Sequence, residues 1–60
     1  MDMQDITIGK WYVIHDGEGR FAAEVRQKRN DYVLVMDQEG RLILVDPKDV
    51  VSPAEIINEH

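Results

Sequence analysis

The fold class is decided by the segment YVLVMDQEGRLILV, residues 32–45. It contains two runs of large apolar and β-branched residues, 32–36 and 41–45, and each run has the length of a strand. Between them stands DQEG, with Asp37 at the first position and Gly40 at the last. This is typical of a type I turn that ends on a left-handed glycine. The segment therefore predicts a β-hairpin.

Upstream of this hairpin, the pattern predicts a second strand from Arg20 to about Lys28. Phe21, Ala23 and Val25 alternate there with Ala22, Glu24 and Arg26. An apolar face opposed by a charged face is typical of an antiparallel strand that is exposed to water on one side. Residues 29–31, with sequence RND, predict the turn that leads into the hairpin.

A first strand is predicted over residues 11–15, where aromatic and β-branched residues are dense. The sequence DGEG, residues 16–19, has the composition of a turn and predicts the end of this strand. If Tyr12 and Ile14 point into the core, Trp11 and its alternate neighbours point outward, because successive side chains of a strand face opposite sides.

The residues after the hairpin predict one helical turn and one short strand. Asp46 is a suitable N-cap and Pro47 a suitable first helical residue, which predicts a helical turn over 46–49. The residues at 50–51 then predict the closing strand. Ser52 and Glu55 have the spacing of a capping box, so a short C-terminal helix or tail is predicted after them.

Five short strands with a helical turn before the last predict an all-β fold closed into a small barrel. The predicted organisation is a polar N-terminal lead-in over residues 1–8, the barrel over 9–53, and a short C-terminal helix or tail over 54–60.

The order of these elements resembles the Tudor branch of the SH3-like barrels over residues 8–53. The residues that carry the resemblance are Gly9, Tyr12 and Ile14, the segment FAAEV at 21–25, the apolar strand before Gly40, and DVVSP at 49–53. The resemblance implies a five-stranded SH3-like barrel of the Tudor type, with a short 3-10 turn before the last strand. It supports the fold better than the function, since one fold serves many functions.

Many Tudor domains bind methylated lysine or arginine in a cage of aromatic rings, which attract the cation. The resemblance places the cage positions at Asp16, Phe21, Met36 and Glu39, and only Phe21 is aromatic. One ring does not form a cage, so recognition of methylated peptides is not predicted.

Composition narrows the possible functions. The chain of 60 residues has a net charge of −5, no cysteine, one serine and one threonine. The charge disfavours general binding to nucleic-acid backbones and to anionic lipids. No nucleophile with a base and an orienting group can be assembled, so neither an enzyme nor a cofactor is predicted. No signal peptide or membrane span is recognised, and a cytoplasmic protein is predicted.

The predicted third and fourth strands are apolar at odd and at even positions, hence on both faces. A strand exposed on one side would alternate with polar residues, so a second cover is expected. Sixty residues can fill one core but not a full second layer, and Ile56 and Ile57 would cover only part of the outer face. We therefore predict a contact surface for another protein, or for a second copy in a homodimer. It consists of Trp11, Val13, Val33, Val35, Ile43 and Val45.

This surface favours a small protein–protein interaction module, of adaptor or inhibitor-like character. The alternative function is binding of RNA or single-stranded nucleic acid through a basic patch. That patch consists of Arg20, Arg26, Lys28 and Arg29. Cations would contact phosphates while an exposed aromatic ring stacks on a base.

Overall fold

The computed structural model describes residues 1–54 and is all-β. The five strands are β1 (Trp11–Asp16), β2 (Gly19–Lys28), β3 (Val33–Asp37), β4 (Leu42–Val45) and β5 (Val50–Pro53), and short 3-10 helices span Met3–Asp5 and Pro47–Asp49. The five strands form one antiparallel sheet in the order β4-β3-β2-β1-β5. The predicted all-β class and the 3-10 turn before the last strand are confirmed. No helix within this part of the chain is long and apolar enough to cross a membrane.

The last strand is longer than predicted. β5 continues to Pro53, and Ser52 pairs with Val13 of β1, so Ser52 belongs to a strand and does not begin a helix. The capping-box prediction is wrong at this residue, because pairing with β1 satisfies the local backbone instead. Residues 55–60 of the predicted C-terminal helix or tail lie outside the described part of the chain.

The core lies on one face of the sheet, which we call the inner face. Its buried residues are Ile6, Tyr12, Ile14, Ala23, Val25, Val33, Val35, Val45 and Val50. Tyr12 and Ile14 point inward, as predicted, and the alternation predicted for β2 is confirmed at Ala23 and Val25. Both edge strands thus contribute side chains to the same core.

The structure contradicts the predicted faces of β3 and β4. Val33 and Val35 are fully buried, Val45 is nearly so, and Ile43 packs against the core. The cause is the register: Val35 lies opposite buried Val25 on one side and opposite Ile43 on the other. Residues directly opposite each other in a sheet share a face. The odd positions are therefore inner, and the even positions are outer.

The N-terminal segment is part of the packed structure. Ile6 is buried in the core, and the N–H of Thr7 donates to the Tyr12 hydroxyl over 2.8 Å. The Lys28 ammonium donates to the carbonyl of Met3 at 3.1 Å and to that of Ile6 at 2.7 Å. The N-terminal segment therefore packs on the core through Ile6 and is attached to β1 and β2 by these hydrogen bonds.

Candidate functional site

The outer face of the sheet carries a band of apolar side chains on β3 and β4. We call it the outer band, and it consists of Leu34, Met36, Leu42 and Leu44. Met36 lies opposite Leu42, and Leu34 lies opposite Leu44. Leu42 and Leu44 are each 61% exposed, while the two β3 residues are half-buried. The chain thus has an exposed apolar surface on the two predicted strands. It consists of even-numbered positions, whereas the sequence predicted odd-numbered ones.

Three of the six predicted interface residues are buried and therefore unavailable to a partner of the folded chain. Val33, Val35 and Val45 lie in the core, and Ile43 packs against it. Trp11 and Val13 alternate with inward residues of β1 and are half-buried on the outer face. The missed residues are those of the outer band. Only the pairing of β3 with β2 distinguishes the two faces, and alternation within β3 and β4 carries no such signal.

Trp11 is near the outer band but separated from it. In the register, Trp11 lies opposite Glu24, and Glu24 lies opposite Met36. The Glu24 carboxylate is paired with the Arg26 guanidinium at 3.1 Å. This ion pair on β2 therefore forms a polar border between the indole ring and the outer band.

β4 lies at an edge of the sheet, and no described strand pairs with its far side. The N–H of Asp37 donates to the carbonyl of Arg41 over 2.9 Å, so these two residues form a hydrogen-bonded pair. Such pairs alternate with non-hydrogen-bonded pairs along an antiparallel ladder. Ile43 therefore bonds to β3, whereas the backbone N–H and C=O groups of Leu42 and Leu44 point toward the free edge.

The turn before β4 is held by the buried carboxylate of Asp37. One oxygen accepts from the backbone N–H groups of Glu39 and Arg41, each at 2.9 Å, and the other accepts from Nε of Arg41 at 2.9 Å. Gly40 takes a φ of 84°, as the sequence predicted. This network fixes the end of the hairpin and therefore the position at which β4 begins.

The same network lowers the pKa of Asp37. The backbone N–H of Arg41 is the main cause, and the Arg41 guanidinium and the N–H of Glu39 add to it, while partial desolvation works in the opposite direction. The Asp37 carboxylate in turn raises the pKa of Arg41. The hairpin is thus held by an ionised group.

We expect the Asp37→Asn variant to be less stable than the wild type at neutral pH and to lose less stability in acid. The folded-state pKa of Asp37 is below its unfolded value. Its contribution is therefore present above the ordinary aspartate pKa of about 4 and is lost as the pH falls through the folded pKa. Urea midpoints measured from neutral to acidic pH would show a shallower acid limb for the variant.

The exposed Asp31→Asn variant is the matched control for this change of charge, and it should follow the wild-type profile. An Asp37→Asn variant with wild-type midpoints over the whole pH range would contradict the role given to the carboxylate.

A surface cavity of about 470 Å³ lies between the β1–β2 and β3–β4 turns. Its lining includes Asp16, Phe21 and Glu39, which are three of the four positions that the Tudor resemblance implies for a cage. Met36 lies on the outer face instead. Asp16 accepts hydrogen bonds from N–H groups of its own turn, and Glu39 lies 3.4 Å from the Arg41 guanidinium. These two carboxylates are therefore engaged in holding the two turns.

The predicted basic patch is divided. Arg20 lies beside the β1–β2 turn, and Arg26 lies six positions along β2, roughly 20 Å away in an extended strand. Arg26 is paired with Glu24, and Arg29 donates to a glutamine side chain at 3.0 Å. Binding of nucleic acid stays a prediction, and these contacts add no support to it.

Lys28 is not on the exposed face where alternation placed it. The register of β2 shifts between Val25 and Gln27, so that Lys28 lies opposite buried Val33. A β-bulge adds one residue and reverses the alternation beyond it. The ammonium group is directed to two backbone carbonyls of the N-terminal segment and serves the fold.

Metal-ligating side chains do not cluster in the part of the chain that the structure describes. No group of three or more histidine, aspartate or glutamate residues within positions 1–54 is arranged to hold a metal ion.

Comparison of the chain with protein-family models, curated proteins and solved structures returns no match. The outer band and the free edge of β4 are therefore the features from which function is inferred.

Proposed function

We propose that this chain is a small non-catalytic protein–protein interaction module, adaptor or inhibitor-like, whose contact surface is the outer band. The observation that carries the proposal is the 61% exposure of both Leu42 and Leu44 on an edge strand. Burying a leucine side chain completely is worth about 1.5–3 kcal/mol, so a partner that covers the band gains a substantial driving force. Contiguous apolar patches on small proteins usually mark interfaces.

The charges around the outer band suit a specific contact. The Glu24–Arg26 ion pair borders the band on β2, and Arg41 and Asp46 are exposed at the two ends of β4. An apolar centre with a charged rim is the usual anatomy of a protein interface, in which the centre provides affinity and the rim provides specificity.

We also propose that the sheet curls into a partly open SH3-like barrel of the Tudor type. Val45 of β4 and Val50 of β5, from opposite edges of the sheet, belong to one core, which favours a curled sheet. The bulge in β2 supports the same curvature, because bulges bend a strand and increase its twist. A cytoplasmic location is proposed as well, supported by the absence of cysteine from the sequence.

We expect the double variant Leu42→Asp, Leu44→Asp to lose association while keeping the fold. Two carboxylates would have to be desolvated in the contact, whereas both positions are accessible to water in the free chain. The measurement is molar mass by light scattering at two concentrations tenfold apart, together with capture of protein partners by the immobilised chain. Circular dichroism reports whether the sheet is intact.

The matched control is the double variant Ile8→Asp, Val51→Asp. These residues are 57% and 47% exposed and lie outside the outer band, so the control adds the same charge without touching the proposed surface. It should associate as the wild type does. Equal loss of association in both double variants, or in neither, would contradict the assignment of the surface.

A further inference from the structure

We propose that the outer band and the adjoining β4 edge bind a second copy of this chain, whose β4 pairs antiparallel with the first to give one continuous sheet. This inference rests on the proposed function and names its partner. Three observations carry it. The two sheet edges differ in proline content and in the regularity of their register, the free backbone groups of β4 point away from the sheet, and the sequence of β4 is self-complementary.

The two edges of the sheet are not equivalent. β5 contains Pro53, and its register with β1 shifts between Val13 and Ile14. Proline and irregular register are devices that prevent an edge from pairing with another chain. β4, with sequence LILV, has neither device, contains no charged residue and keeps a regular register with β3 over all its residues. Of the two edges, β4 is the one able to accept a further strand.

The free backbone groups define the register of this pairing. Leu42 and Leu44 direct their N–H and C=O groups away from β3. A two-fold axis perpendicular to the sheet at Ile43 places Leu42 opposite Leu44 of the second copy. It also places Leu44 opposite Leu42 of the second copy. In this register every free N–H and C=O group of the two leucines meets a partner across the axis, as a hydrogen-bonded antiparallel pair requires. Shifting the register leaves some of these groups unpaired within β4.

The side chains fit the same arrangement. Leu42 and Leu44 lie on the outer face, so the pairing brings the leucines of both copies together. The outer bands, each with Leu34 and Met36 behind, join into one continuous band across the axis. Arg41 and Asp46, both exposed, lie at opposite ends of β4. Antiparallel pairing brings the Arg41 end of one copy near the Asp46 end of the other, so the charges at the ends attract.

The pairing closes as a dimer. The interface is the same strand in both copies, and an isologous contact of this kind uses up the edge that makes it. The remaining edges of the pair are both β5, where Pro53 and the shifted register oppose further addition. Growth into a filament is therefore not expected.

Disulfide trapping tests the register. The chain has no cysteine, so introduced thiols are unique. Mixing Leu42→Cys and Leu44→Cys chains should give the mixed disulfide well above the half that random pairing yields. The Cα atoms of a hydrogen-bonded antiparallel pair are about 5.5 Å apart, which is within disulfide range. An Ile8→Cys chain, whose thiol is exposed but lies outside the outer band, measures how much disulfide forms by random collision. A random distribution of products would overturn the proposed register.

Removing one backbone donor tests whether the edge itself pairs. A chemically synthesised chain N-methylated at Leu44 loses an N–H that points away from β3, so the fold is preserved. The dimer loses one hydrogen bond on each side of the axis, and its dissociation constant should rise by about tenfold or more. Light scattering on a dilution series measures this.

The outcomes separate this inference from the proposed function. A dimer that dissociates in Leu42→Asp, Leu44→Asp but resists N-methylation uses the outer band without edge pairing, which overturns only the inference made here. A wild-type chain that stays monomeric at every concentration also overturns it. In that case, capture of a different protein by the wild type but not by the double variant would still support the proposed function.

Discussion

The Val35→Asp variant is expected to be unfolded at neutral pH, and the Leu44→Asp variant is expected to keep its sheet. Val35 is fully buried and lies between Val25 and Ile43 in the register, so an aspartate there would place a carboxylate in an apolar core. Burying an unpaired charge costs several kcal/mol, which is comparable to the ~5 kcal/mol expected for the whole stability of a small domain. Leu44 is 61% exposed, and its aspartate stays in water.

Circular dichroism and urea denaturation of the two variants test this directly, and Val35→Ala provides a control that removes volume without adding charge. The alanine variant should fold with reduced stability, since deletion of buried methyl groups costs much less than burial of a charge. A folded Val35→Asp together with an unfolded Leu44→Asp would mean that the faces of β3 and β4 are the reverse of those described.

The strands and their order of appearance could be predicted from the sequence because each depends on local signals. The hairpin of β3 and β4 was evident from two apolar runs around DQEG, where Asp37 and Gly40 have the chemistry that the turn requires. The helical turn before β5 followed in the same way from Asp46, whose side chain accepts from the N–H of Lys48 at 3.1 Å. In each case neighbouring residues determine the backbone.

The faces of β3 and β4 could not be predicted, because they depend on pairing with a distant strand. All four positions from 33 to 36 are apolar, so alternation does not indicate which face of β3 is buried. The choice is made by β2, where buried Val25 selects Val35 as its inner neighbour. A shift of register by one residue would have reversed the choice, which is why the predicted interface contained core residues.

Two further features of the site were missed for a related reason. The bulge after Val25 leaves no mark in the sequence, and it moves Lys28 from the exposed face to the N-terminal segment. The sequence predicts a polar lead-in that includes Ile6, because MDMQDITI contains no run of apolar residues long enough to indicate a strand or a helix. The burial of Ile6 results from contacts with residues distant in the chain. Long-range contacts thus decide which residues of this chain reach solvent.

The Tyr12→Ala variant is expected to lose most of the stability of the domain. Tyr12 is one of the largest fully buried side chains, and its hydroxyl accepts from the N–H of Thr7 at 2.8 Å. Removing a buried aromatic side chain costs about 3–5 kcal/mol. The N-terminal segment would also lose this attachment to β1, so Ile6 would pack less well against the remaining core. The measurement is urea denaturation followed by circular dichroism.

The Tyr12→Phe variant separates the ring from the hydroxyl. It keeps the packing and leaves only the N–H of Thr7 without its partner, so the expected loss is about 1 kcal/mol. Hydrogen exchange at Thr7 should be faster in this variant than in the wild type. Exchange in β3 should be no faster than in Tyr12→Ala. If Tyr12→Ala unfolded at nearly the wild-type urea concentration, the core would not depend on this ring. The N-terminal segment would then be held by Ile6, by the Lys28 contacts and by the hydrogen bonds from the Met1 ammonium group to the carbonyls of Pro47 and Val50.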